Sequence, residues 1–154
     1  RNKTARIYDH SRISSLKIGR GSVLRNGGDV AIIACGVMVE QALQAASDLC
    51  EDGIECTVID MHTIKPLDTA LIDRLSVDCG CFVSVEDHSV VGGLGSTIAE
   101  WISQNRPVPL EMVGVDDRFG ESGDPSALME LLGITAKDIS EAVKKCVNRK
   151  NPTQ

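Results

Sequence analysis

The sequence predicts an α/β fold, a mixed and mostly parallel β-sheet with helices on both faces. Short continuous apolar runs alternate with segments in which apolar residues recur at helical spacing. Each helical segment separates two such runs, the arrangement of right-handed β-α-β crossovers. The chain's 154 residues suit one domain rather than two full ones.

Leu16 to Leu24 alternates weakly and joins the next run through Asn26-Gly-Gly-Asp29. So short a turn predicts an antiparallel hairpin, with the first strand at an edge of the sheet. Val30 to Cys35 is the first strand buried on both faces. After Gly36, Val39, Ala42, Leu43, Ala46 and Leu49 form a helical stripe that stops near Gly53. Ile54 to Asp60 reads as the next strand, and Asp68 caps a helix carrying Leu71, Ile72 and Leu75. Cys81 to Val85 is another strand, followed by a helix from Ser96 to Gln104.

Pro107 and Pro109 introduce the strand Leu110 to Val115. Asp124-Pro125 is an N-cap with proline at the first helical position, and Gly133 stops that helix. Thr135-Ala-Lys-Asp138 is a capping box with Asp in its last place, opening a helix with Ile139, Ala142, Val143 and Cys146 on one side. The expected boundaries are a linker over 1–15, a domain over 16–147 and a polar tail over 148–154.

Composition narrows the function classes. With 42% hydrophobic and 25% charged residues the chain is neither disordered nor fibrous. Its longest apolar stretch, Val30 to Val39 with Gly36 inside it, is too short to span a bilayer. No signal-peptide pattern opens the chain, and its first residue is Arg, so a piece of something longer is expected. Residues 1–25 carry seven basic groups against Asp9, whereas the remainder is strongly acidic and the chain nets −6. A basic arm invites nucleic acid, but four aromatics offer little to stack on and the acidic body repels phosphate. No nucleic-acid or membrane partner is expected. The six cysteines include no C-x-x-C, and His10, His62 and His88 are dispersed, so no metal site is expected. Reduced thiols and a cytoplasmic location fit this pattern.

In an open α/β sheet, ligands bind beyond the carboxyl ends of the strands. Those ends carry Gly36, then His62, Thr63 and Lys65, then Glu86, Asp87, His88 and Gly92-Gly-Leu-Gly95, then Asp116, Asp117, Arg118, Gly120 and Ser122. Placement alone predicts their convergence on one edge. Gly93-x-Gly95 suggests a phosphate cradle, but Ile98 stands where the third glycine of a dinucleotide motif belongs. The small residues then serve close helix–strand packing. Ser122 lacks the G-x-S-x-G frame, and neither His62 nor His88 has an identifiable catalytic partner. His88, set among acids and a glycine-rich loop, suits a hydrogen-bonded position at an interface.

Five blocks carry a resemblance: Ile18-Gly-Arg-Gly-Ser-Val-Leu-Arg25, Gly28-Asp-Val-Ala-Ile-Ile-Ala34, Met61-His-Thr-Ile-Lys-Pro-Leu-Asp68, Val85-Glu-Asp-His-Ser-Val-Val-Gly-Gly-Leu-Gly-Ser96 and Asp117-Arg-Phe-Gly-Glu-Ser-Gly123. In order and spacing the chain resembles the C-terminal domain of transketolases, most of all the split form with a separate C-terminal subunit. Deoxyxylulose-phosphate synthases and the beta subunits of 2-oxo acid dehydrogenases have related domains. The resemblance implies a three-layer α/β/α sandwich with a five-stranded mixed sheet whose first strand is antiparallel. It implies a parent enzyme that uses thiamine diphosphate and magnesium to move a two-carbon ketol unit between sugar phosphates.

The Gly-Asp-Gly diphosphate motif is absent here, and the cofactor-activating glutamate of the family belongs to a pyrimidine-binding domain that would precede Arg1. No catalytic, cofactor or metal residue is therefore assigned, and the chain alone is expected to be inert. Its expected partners are the missing diphosphate- and pyrimidine-binding domains and a second protomer. Glu86, His88, Gly92, Gly93 and Gly95 are the candidate contact loop. A stand-alone nucleotide or metabolite module is the alternative from a different class.

Overall fold

The computed structural model describes residues 6–8 and 16–151. Five strands form one sheet: β1 (Ser22–Arg25), β2 (Val30–Ala34), β3 (Cys56–Asp60), β4 (Phe82–Ser89) and β5 (Leu110–Val115). The order is β1-β3-β2-β4-β5, with β1 antiparallel to β3 and every other pairing parallel. Among the described residues five helices cover it: α1 (Met38–Glu51), α2 (Thr69–Asp78), α3 (Leu94–Asn105), α4 (Pro125–Leu132) and α5 (Ala136–Lys150).

The central strand β2 is apolar on both faces because both faces are covered. Val30, Ile32 and Ala34 of β2 point into a core shared with Leu49 of α1 and with Ile139 and Val143 of α5. Ala31 and Ile33 point the other way, against Ile72 of α2 and Ile98 of α3. This alternation makes the three-layer α/β/α sandwich that the resemblance implied.

β1 is an edge strand and antiparallel, as expected, but its partner is β3 rather than β2. The hairpin expected at 26–29 is instead a crossing over the start of β3. Thr57 Oγ1 accepts from the Gly27 amide at 2.9 Å, and the Asp29 amide donates to the Glu55 carbonyl at 2.9 Å. A Cβ on Gly27 would stand 2.5 Å from the Glu55 carbonyl carbon, so only glycine lets the chain pass so closely. A turn short enough for a hairpin thus serves a step past one intervening strand.

The helix starts follow the sequence. The Asp68 carboxylate accepts from the Leu71 amide at 3.2 Å, and Asp124 Oδ1 accepts from the Ser126 amide at 3.0 Å. Thr135 and Asp138 cap each other's backbone at the start of α5. Gly133 ends α4 in the left-handed region at φ 67°. Several boundaries differ from expectation: β1 is confined to Ser22–Arg25, β3 begins at Cys56, and α3 begins at Leu94, two residues before the expected Ser96. β4 runs on to Ser89, past the expected end at Val85. Helix α5 continues through Asn148 to Lys150, so the first three residues of the expected polar tail are helical. The Lys150 ammonium donates to the Cys79 carbonyl at 2.7 Å and the Asp29 carbonyl at 3.1 Å, which ties this last turn to the sheet. Among the described residues, no helix is long and apolar enough to cross a membrane.

Candidate functional site

In this strand order, β3 lies on one side of β2 and β4 on the other, so the chain reverses its winding between β2 and β4. Such a switch point opens a crevice at the carboxyl ends of the strands. A cleft of about 430 Å³ is found there, lined by Cys35, Gly36 and Val37 after β2, Ile64 after β3, and Glu86, Asp87, His88, Gly92 and Gly93 around the end of β4.

Glu86 organises the cleft floor. It is almost fully buried, and its carboxylate accepts from the Leu94 amide at 2.7 Å and the Gly95 amide at 2.9 Å. A negative charge at these open amides suits the positive end of α3. The two amides that a glycine-rich turn would offer to a phosphate are therefore held by the protein's own carboxylate. The glycines permit this approach. A Cβ on Gly93 would fall on Glu86 Oε2, and one on Gly95 would lie 2.5 Å from Ser84 Oγ and 2.9 Å from the Met112 side chain. Close helix–strand packing is thus the work of Gly93 and Gly95.

His88 stands at the rim, mostly exposed. Its Nδ1 lies 2.8 Å from the Ser89 carbonyl, so the neutral ring carries its proton there and donates it. The same nitrogen is 3.9 Å from Glu86 Oε2, beyond a hydrogen bond. With both Glu86 oxygens already engaged, the two residues do not form a catalytic acid–base pair. Burial, reinforced by the carboxylates of Glu86, Asp60 and Asp87, pushes the Cys35 thiol up to about 11. It stays protonated at neutral pH and is no nucleophile.

Of the residues expected to converge, Gly36, Glu86, Asp87, His88, Gly92 and Gly93 share this cleft. His62 does not line it; its Nδ1 lies 3.1 Å from Thr63 Oγ1. Asp116, Asp117, Arg118, Gly120 and Ser122 form an exposed loop beyond β5, where the Arg118 guanidinium pairs with Glu121. Cys35, Val37 and Ile64 were missed because single apolar residues beside a strand end carry no chemical signature in sequence.

A sequence signature described as "Transketolase, C-terminal domain" matches residues 19–139. The chain belongs to the transketolase C-terminal domain family. It is 47% identical over 134 residues to a 6-deoxy-6-sulfo-D-fructose transketolase subunit of Clostridium sp. strain MSTE9, covering 87% of this chain and 42% of that one. It is also 43% identical over 129 residues to a 1-deoxy-D-xylulose-5-phosphate synthase of Trichormus variabilis, covering 83% of this chain and 20% of that protein. Among solved structures, it superposes with a TM-score of 0.90 on a split-gene transketolase described as an inactive beta4 tetramer. That match is 41% identical and covers 96% of this chain and 48% of the other. This transketolase C-terminal domain thus spans less than half the length of these relatives.

Thiamine diphosphate, the cofactor the family implies, does not fit the cleft. The glycine-rich amides are already paired with Glu86, and the ionisable side chains lining the cleft are two acids, a thiol and a histidine. A diphosphate needs donors and cations that this set lacks.

Proposed function

We propose that this chain is the C-terminal assembly domain of a thiamine-diphosphate-dependent transketolase, catalytically inert by itself and cytoplasmic. The parent enzyme would move a two-carbon ketol unit between sugar phosphates, with cofactor and magnesium held by its diphosphate- and pyrimidine-binding domains. The observation that carries this reading is the family match over residues 19–139 in a domain whose anion-binding helix end is closed by Glu86. The same closure speaks against a stand-alone nucleotide-binding module. In this reading His88 and Gly92, exposed at the rim above Glu86, Gly93 and Gly95, belong to a loop that faces another part of the assembled enzyme.

Calorimetric titration with thiamine diphosphate and magnesium tests the division of labour. No binding is expected at millimolar cofactor for the chain alone. Ketol transfer is expected once the remaining domains are supplied, and micromolar binding by the chain alone would overturn the reading. Running the reconstituted assay with a sugar phosphate and with 6-deoxy-6-sulfo-D-fructose as separate ketol donors tests whether the parent shares the substrate named for the Clostridium relative.

A further inference from the structure

The exposed apolar side chains of this domain are unevenly placed. Ile18 before β1, Val37 after β2, Ile64 after β3, Val91 after β4 and Phe119 after β5 are 87, 44, 36, 69 and 96% exposed. Because β1 is antiparallel, the segment before it lies at the same edge as the carboxyl ends of the other four strands. Gly19 confirms the placement: a Cβ there would approach the Pro66 ring at 3.1 Å. Every strand therefore presents one exposed large apolar residue at this edge. Among the described residues the opposite edge presents only Val77, in the last turn of α2 shortly before β4, and Met112 and Leu131 are comparably exposed elsewhere. A concentration of this kind marks an interaction surface rather than chance exposure.

Building on the assembly-domain reading, we infer that this carboxyl edge docks the upstream half of the parent enzyme, with Phe119, its most exposed apolar side chain, as an anchor. Two observations select that occupant. The Tyr8 hydroxyl donates to Asp60 Oδ2 at 2.6 Å, so the chain enters the domain at this same edge. The longer relatives have more than as much polypeptide again outside the matched region. A phenylalanine is among the residue types enriched at the cores of protein interfaces, and Phe119 is 96% exposed.

The test compares hydrogen exchange in the 154-residue chain with that in the same chain joined to its upstream half. Amides of residues 90–93 and 117–121 are expected to exchange about tenfold more slowly in the longer protein. The double variant Val91→Asp with Phe119→Asp should return them to the rate of the shorter chain. Both positions are open to solvent, so this variant should leave the melting temperature of the 154-residue chain unchanged, which separates lost docking from lost folding. Equal exchange in the short and long proteins would overturn the inference. So would sedimentation of the 154-residue chain as a dimer that Phe119→Asp dissociates, which would assign the face to a second copy. Ketol transfer measured on the same long protein stands apart: activity without protection of these loops would sink the docking surface and leave the proposed function standing.

Discussion

The carboxylate of Glu86 fills the space that any side chain at Gly93 would need. The Glu86 carboxyl carbon lies 2.6 Å from where a Cβ on residue 93 would stand. One glycine thereby lets a strand-end carboxylate reach the first amides of α3, and the anion site of that helix is closed from within.

Gly93→Ala is accordingly expected to destabilise the domain by about 2 kcal/mol, the usual cost of forcing a group into packed surroundings. Glu86→Ala should also destabilise, because it leaves the Leu94 and Gly95 amides unpaired. The double variant should cost less than the sum, since removing the carboxylate relieves its part of the clash and leaves only the 2.7 Å approach to the Ser89 carbonyl. Urea denaturation of the four proteins measures this, and strict additivity would show that the two residues are independent.

Asp68 joins two elements. Its carboxylate accepts from the Leu71 amide at the start of α2 and from the Gly21 amide at 3.1 Å, just before β1. Asp68→Ala should cost about 2 kcal/mol through two lost acceptors. Asp68→Asn should fall between, because its amide keeps one acceptor and turns a donor towards the other N–H. The ion pair with the exposed Arg20 adds little. Equal midpoints for the Ala and Asn variants would refute this account.

Acid should weaken the attachment of α5 to the sheet edge. Burial pushes the Glu111 carboxyl up, but hydrogen bonds from Lys145 and Arg149 outweigh it and hold the group below its ordinary value. A depressed pKa in the folded state contributes stability above the unfolded value of about 4.3, and that contribution is lost as pH falls through the folded value. Wild type should exceed Glu111→Gln by about 1 kcal/mol at pH 7, the worth of a partly exposed pair. The gap should close on acidification below pH ~4. A gap that widens in acid would reverse the sign of the argument.

Thiol reactivity should report burial. Cys50 is exposed, whereas Cys56, Cys79, Cys81 and Cys146 are buried and Cys35 is partly covered with its thiol pushed up to about 11. Titration of the native protein with a chromogenic disulfide at pH 8 should give one fast thiol, rising to all six on denaturation. Two or more fast thiols in the native state would mean that the sheet ends open readily.

Local chemistry made much of this protein legible in its sequence. The Asp68, Asp124 and Thr135 caps, the Gly133 stop and the apolar runs of β2 to β5 each act over a few residues, so residue type and spacing suffice to find them. Five motif blocks likewise carried the family. What lay beyond reach depends on distance along the chain. The partner of β1 is chosen by a crossing that only Gly27 permits, and a four-residue link looks the same whether it turns back or steps over a strand. The Glu86 cap joins residues eight and nine apart across a strand–loop–helix turn, so Gly93-x-Gly95 looked like a phosphate cradle until the carboxylate inside it was seen. The apolar edge of Ile18, Val37, Ile64, Val91 and Phe119 is five isolated residues in sequence. Only the folding of five strands into one sheet, with β1 reversed, places them on a single surface.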